Sequence, residues 1–203
     1  MTENKYEAYK EIFRKNKGIL RVSTAIKHGI PKHIIYEMIR NQDLVQEARG
    51  LYRLAESEPL GNPDLVQVSL LIPRCVICLI SSLYIHGLTT QIPKQVYIAL
   101  PQGVKERKID YPPLRVFHLS KRPFLAGIEK HIMDGITVQV YDKEKTITDC
   151  FKYRKQIGME VALEALKDYM RQSSPNVHRL MNYAGINRVE KLIRPYVETL
   201  ITL

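Results

Sequence analysis

Apolar residues Tyr6, Tyr9, Ile12 and Phe13 recur at three- and four-residue spacing, the stripe of an amphipathic helix, and Asn16 and Gly18 supply its stop. Ile19-Leu20-Arg21-Val22 reads as a short extended piece. Ser23 then stands where an N-cap belongs, its hydroxyl placed to satisfy free backbone N–H groups of a helix running to about His28. Gly29 ends that helix, and Ile30-Pro31 opens a third, over about Lys32 to Asn41. Ile35, Met38 and Ile39 fall on its inward face, and Lys32, His33, Tyr36, Glu37 and Arg40 on the other. Leu44–Glu47 and Leu51–Leu54, joined through Ala48-Arg49-Gly50, form a hairpin. A short helix, a glycine turn and a basic-faced helix are helix-turn-helix grammar, and a hairpin directly after them is a wing. The pattern predicts a winged helix-turn-helix over residues 1–56, with a small helical interaction module as the alternative.

Glu56–Asn62 is turn-rich and serves as a linker to a second domain over residues 62–203. There Asn62 and Pro63 cap a helix to about Ile72, with Leu65, Val68, Leu71 and Ile72 inward. Cys75–Ile85, apolar almost all round, reads as one buried helix. Four β-branched or alternating pieces follow as strands, 95–100, 114–119, 128–133 and 136–141, and Asp134-Gly135 makes a tight turn between the last two. Beyond Asp142, which caps a helix over 143–153, the pattern is helical. Met159, Ala162, Leu163, Leu166, Tyr169 and Met170 line one helix, and Val189, Leu192, Ile193, Tyr196 and Leu200 another that Pro195 kinks or divides. Tyr153, Tyr169, Tyr183 and Tyr196 fall on these helices as packing residues. The expected fold class is α+β, with a small mainly antiparallel sheet and several helices behind the winged helix.

Charge sharpens this picture. The 203 residues carry a formal charge of +10, and residues 1–55 hold 11 basic and 6 acidic side chains against 20 and 15 in the rest. A quarter of the chain thus holds half the excess, which favours a polyanion partner over an evenly solvated lysine surface. No apolar run approaches the length of about 18 residues that suggests a membrane span, and the N-terminus lacks a secretory apolar stretch. The 3 cysteines make no disulfide framework. A cytoplasmic protein without a membrane partner is expected.

Candidate chemistry is sparse. Cys75-x-x-Cys78 is half a zinc or redox motif, but no second pair follows and the surrounding VICLI is apolar, so the thiols read as core. His86, near Ser81, Ser82, Thr89 and Thr90, lacks an orienting carboxylate in sequence. It is read as a helix end, with Gly87 as the stop and the imidazole complementing the helix dipole. Glu106-Arg107-Lys108 has a nuclease-like Glu-x-Lys form without an upstream acidic ligand, and the acids of Asp142–Asp149 suit a helix start. No glycine-rich phosphate loop or metal cluster is evident. Neither catalytic residues nor a metal or cofactor is expected, and the protein is read as no enzyme.

Residues 18–54, GILRVSTAIKHGIPKHIIYEMIRNQDLVQEARGLYRL, resemble the N-terminal winged helix of AbiEi-type antitoxins. The resemblance continues through VICLISSLYIHGLTTQIPKQVYIALP, PPLRVFHLS, YDKEKTITDCFKYRKQIGMEVALEALKDY and VEKLIRPYVETL, in the family's order. It implies an antitoxin of a type IV toxin–antitoxin operon linked to phage defence. Such a protein represses its own operon by binding inverted repeats in double-stranded promoter DNA, and counteracts a nucleotidyltransferase-like toxin without a stable complex. On this reading Lys32, His33, Tyr36 and Arg40 face the major groove, Arg49 and Arg53 sit on the wing, and Arg21 and Ser23 hold phosphate. Lys105, Lys108, Lys121 and Arg122 form a second candidate surface for DNA or antitoxicity. The alternatives are a winged-helix regulator without a toxin partner and a DNA-targeted nuclease.

Overall fold

The computed structural model describes residues 3–106 and 108–201 and is an α+β protein of eleven helices and eight strands among those residues. By contacts it divides into two units. The first takes the chain up to Pro73 together with Lys108–Pro112 and Ile132–Val138, and the second takes the remainder. No helix among the described residues is long and apolar enough to cross a membrane.

In the first unit α1 (Glu3–Lys15) is followed by β1 (Ile19–Arg21), α2 (Val22–Lys27), α3 (Lys32–Arg40), β2 (Leu44–Ala48), β3 (Leu51–Leu54) and α4 (Pro63–Leu71). The strands form an antiparallel sheet in the order β1-β3-β2. Tyr9, Phe13, Leu20, Ala25, Ile34 and Met38 build its core with the sheet's Leu44 and Leu54. α1 stops as its sequence dictates: Asn16 Nδ2 donates to the Ile12 carbonyl, and Gly18, at φ +75°, returns its N–H to the Phe13 carbonyl. A Cβ at Gly18 would also lie 2.3 Å from Ser57 Oγ, so a larger residue there would need the serine to rotate as well as a strained backbone.

Three expectations change here. α2 starts two residues early, with Arg21 as N-cap, so Ser23 lies inside the first turn. Pro31 is the N-cap of α3 rather than its first residue, and Ile34 joins Ile35 and Met38 in the core. By contacts α4 is grouped with the first unit, whose opening segment runs to Pro73. The side chain of Asn62 makes no cap bond. The backbone N–H groups of Gly61 and Asn62 donate to the Asp134 carboxylate, at 3.0 Å each.

A five-stranded sheet has the order β6-β5-β4-β8-β7, from β4 (Val76–Ile77), β5 (Val96–Pro101), β6 (Leu114–Leu119), β7 (Ile128–Met133) and β8 (Ile136–Tyr141), and belongs to the second unit apart from the Ile132–Val138 portions of β7 and β8. It is mixed rather than mainly antiparallel, since β4 pairs antiparallel with β5 but parallel with β8, and β5 and β6 are parallel. Cys75–Ile85 is not one helix. β4 occupies the sheet centre, Cys78 is extended, Leu79 has φ +48°, and only Leu79–Ile85 is helical (α5). The break allows both residues of β4 to be fully buried between neighbouring strands.

A short α6 (Lys121–Leu125) precedes β7. After the sheet come α7 (Lys143–Lys152), α8 (Arg154–Ile157), α9 (Met159–Met170), α10 (Val177–Asn187) and α11 (Glu190–Ile201), the last continuous through Pro195. α7 packs among α5, α9 and α10, and every residue from Glu144 to Phe151 is buried. Asp142 caps it as expected, accepting the Lys145 N–H at 2.7 Å.

Candidate nucleic-acid interface

α3 presents Lys32, His33, Tyr36 and Arg40 together on its exposed face, with Tyr36 54% exposed and the Lys32 ammonium 5.8 Å from its ring centroid. The helix is held from behind by Ile34, Ile35 and Met38, whose burial fixes which face is left outward. Glu37 is half-buried. The β2–β3 hairpin follows directly, and Arg49 is exposed at its turn. Lys32, Arg40 and Arg49 make no ion pair with a carboxylate among the described residues. Two basic residues of α1 are paired with acids: Lys10 with Asp43 at 2.6 Å, and Arg14 with Glu7, Glu11 and Glu56.

Arg53 does not belong to this surface. It is 9% exposed, its Nε donates to Glu47 at 2.6 Å, and its Nη1 donates to the carbonyls of Leu54 and Ser57. The register shift between Gln46 and Ala48 accompanies the turn of Glu47 towards it. Strand alternation carried the signal, since Arg53 lies two residues from the fully buried Leu51 and shares its face. Arg21, at the start of α2, is half-buried and reaches the Leu70 carbonyl at 3.4 Å, whereas Ser23 is exposed.

The second candidate surface draws on residues grouped with both units. Lys108 is grouped with the first unit and Lys105, Lys121 and Arg122 with the second, while Arg107 lies outside the described residues. Lys121 and Arg122 are exposed on α6. Arg122 lines a cleft of about 410 Å³ with Ser120, Lys152, Asn187 and Arg188. Burial pushes the Lys152 ammonium below its ordinary value there. Glu106 is exposed and lies 3.9 Å from His118, so the Glu-x-Lys form gathers no acidic partner among the described residues.

Cys75, Cys78 and Cys150 are buried and free, and burial pushes the Cys75 thiol up to about 12 and the other two well above their ordinary value. They are core thiols, not thiolates. His86 closes α5 as expected; burial lowers its pKa, and Nε2 donates to the Tyr141 carbonyl at 2.7 Å.

A feature missed in the sequence is the polar spine of α7. Lys145, fully buried, donates to both carboxylate oxygens of Asp149 at 2.6 and 2.5 Å, and its ammonium lies 4.2 Å from the Tyr141 ring centroid. Asn187 donates to Asp149 and Thr148, Tyr169 donates to Glu144, and Arg179 and Tyr183 donate to Asp142. The i, i+4 spacing of Lys145 and Asp149 was legible, but it reads equally as an exposed pair.

No family model matches the chain, and no curated protein matches it. Among solved structures it is similar to the crystal structure of the RV2827C protein from Mycobacterium tuberculosis, with a TM-score of 0.57 and 12% identity, over 96% of this chain and 79% of that one. At that identity the likeness concerns the fold alone.

Proposed function

We propose that the protein is a DNA-binding autorepressor and antitoxin whose first unit is a winged helix-turn-helix. The observation that carries the DNA-binding part is the exposed α3 face with Lys32, His33, Tyr36 and Arg40, next to a hairpin with Arg49 at its turn. Lysine and arginine on a helix face reach guanine acceptors in the major groove, and a basic hairpin turn meets phosphate or the minor groove. The antitoxin role, the inverted-repeat operator and the nucleotidyltransferase-like toxin come from the sequence resemblance to AbiEi-type antitoxins. The reading needs no catalytic residue or cofactor.

The test is binding of the purified chain to a duplex from upstream of its own gene and to a scrambled duplex of equal length. Selective binding is expected, with Lys32→Ala and Arg40→Ala each weakening it by about 1–3 kcal/mol through lost base contacts. Equal affinity for the two duplexes, or operator affinity untouched in both variants, overturns the DNA-binding reading. Co-expression with a nucleotidyltransferase-like toxin from the same operon tests the second part. Rescue of growth is expected, and failure to rescue removes the antitoxin role while leaving the repressor.

A further inference from the structure

Two histidines and a carboxylate converge among the described residues where His86 at the end of α5 meets Glu129 and His131 on β7. One ligand atom from each lies within 4.8 Å of the others. Glu129 and His131 are two apart on a strand and so share a face, with a carboxylate oxygen 3.6 Å from His131 Nε2. The two imidazoles meet edge to face, with centroids 5.6 Å apart. We propose that His86, Glu129 and His131 bind a divalent transition-metal ion of the zinc class, with a fourth position left to water.

Three features support a built site over a chance surface pair. The first is tautomer: His86 Nε2 sits 2.7 Å from the Tyr141 carbonyl, which can only accept, so the proton resides on Nε2 and the lone pair on Nδ1. A ligating histidine ordinarily has its second nitrogen anchored to a carbonyl or carboxylate in this way. Second, two imidazoles and one carboxylate are the ligand set of open zinc sites, and the hard–soft balance of nitrogen with one oxygen disfavours calcium and magnesium. Third, the spacing is attainable. Ligands about 2.0–2.1 Å from zinc in a tetrahedron lie about 3.3 Å from one another. The Glu129–His131 separation is already close to this. Both side chains retain solvent exposure, 44% and 30%, and are able to swing towards the anchored His86. An ion held there would tie the end of α5 to β7. This proposal is independent of DNA binding.

The experiment uses the untagged full chain, stripped with a chelator and titrated with ZnCl2 by calorimetry, with Co²⁺ absorption as a reporter of geometry. One ion per chain with a dissociation constant in the micromolar range or tighter is expected, together with the visible bands of four-coordinate Co²⁺. Glu129→Ala and His131→Ala, checked for fold by circular dichroism, each weaken binding by about 100-fold or more, since losing even an outer partner of a ligand costs about 10–100-fold. Zinc raises the melting temperature of the parent chain and not of His131→Ala. Cys75→Ser and His118→Ala bind as the parent does. Absence of a saturable one-ion event, or a one-ion event that survives unchanged in Glu129→Ala and in His131→Ala, overturns the proposal.

Discussion

The fully buried Lys145 ammonium is held by both oxygens of Asp149, which also accepts from Asn187. Removing one member of a buried pair strands the other charge in low dielectric, a loss of about 3–5 kcal/mol. Lys145→Met is therefore expected to lose stability in that range by urea denaturation. Lys145→Met with Asp149→Asn is expected to lose less than Lys145→Met alone, because the uncompensated carboxylate is gone while an oxygen remains for Asn187. A double variant weaker than the single one contradicts this account of the pair. Arg53 and Arg49 offer a contrast on one hairpin. Arg53→Ala deletes the Glu47 pair and two carbonyl bonds, and about 2–3 kcal/mol of stability is expected to go with them. Arg49→Ala, at an exposed turn, is expected to leave stability within about 0.5 kcal/mol and to act only on DNA affinity. Thermal melts and binding titrations of the two variants separate these roles. The opposite outcome, with Arg53→Ala weakening DNA binding at unchanged stability, returns Arg53 to the interface.

Among elements, α1 is fastened to the segment between α3 and β2 through Asp43, whose carboxylate accepts from Tyr6 at 2.5 Å and pairs with Lys10 at 2.6 Å. Burial alone would raise this carboxyl, but the bonds from Lys10 and Tyr6 outweigh it and hold it below the ordinary carboxylate value. A carboxylate with a depressed folded-state pKa contributes stability that is complete above its unfolded value of about 3.9 and is lost as pH falls through the folded one. The Tyr6 hydroxyl, pushed up to about 12 by burial and by Asp43, works in the other direction: its contribution is complete below about 10 and disappears as pH rises from there to about 12. Asp43→Asn is thus expected to lower stability at neutral pH and to flatten the acid-side loss, measured by urea unfolding between about pH 2 and 5. An unchanged acid limb rules out this clasp as its source. Elements with a full period were legible in the sequence: α1, α3, the β2–β3 hairpin and the strands β6, β7 and β8. β4 was not, because two buried residues inside an apolar run carry no period to set them apart from helix. Nor was the burial of α7, since DKEKTITDC has the polarity of a solvent face and only tertiary packing encloses it. At the candidate interface the outward face of α3 was legible from spacing alone. The loss of Arg53 from the interface depended on strand alternation, which the hairpin reading left unused.

At the scale of the whole molecule, charge and architecture divide the work differently. Half of the +10 excess lies in residues 1–55, where Lys10 and Arg14 are paired with acids and Arg53 is buried against Glu47, while Lys15, Lys17 and Lys27 are exposed elsewhere in the segment and Lys32, Arg40 and Arg49 are exposed on α3 and the hairpin. If binding neutralises about six phosphates, the slope in a plot of log affinity against log salt is near −5. Base contacts choose the site without adding to that slope, whereas each lost phosphate contact lowers it by about one. Arg49→Ala is therefore expected to reduce the slope by about one on operator and scrambled duplex alike. Lys32→Ala and Arg40→Ala are expected to narrow the gap between the two duplexes. Replacing Lys105, Lys121 and Arg122 together tests the second unit in the same measurement. An unchanged slope confines DNA binding to the first unit, and a slope reduced by two or three shows that the phosphate backbone also runs over residues of the second. The DNA-binding proposal fails if the slope stays near −5 when Lys32, Arg40 and Arg49 are all removed, because the charge would then be read by a surface other than α3 and its hairpin.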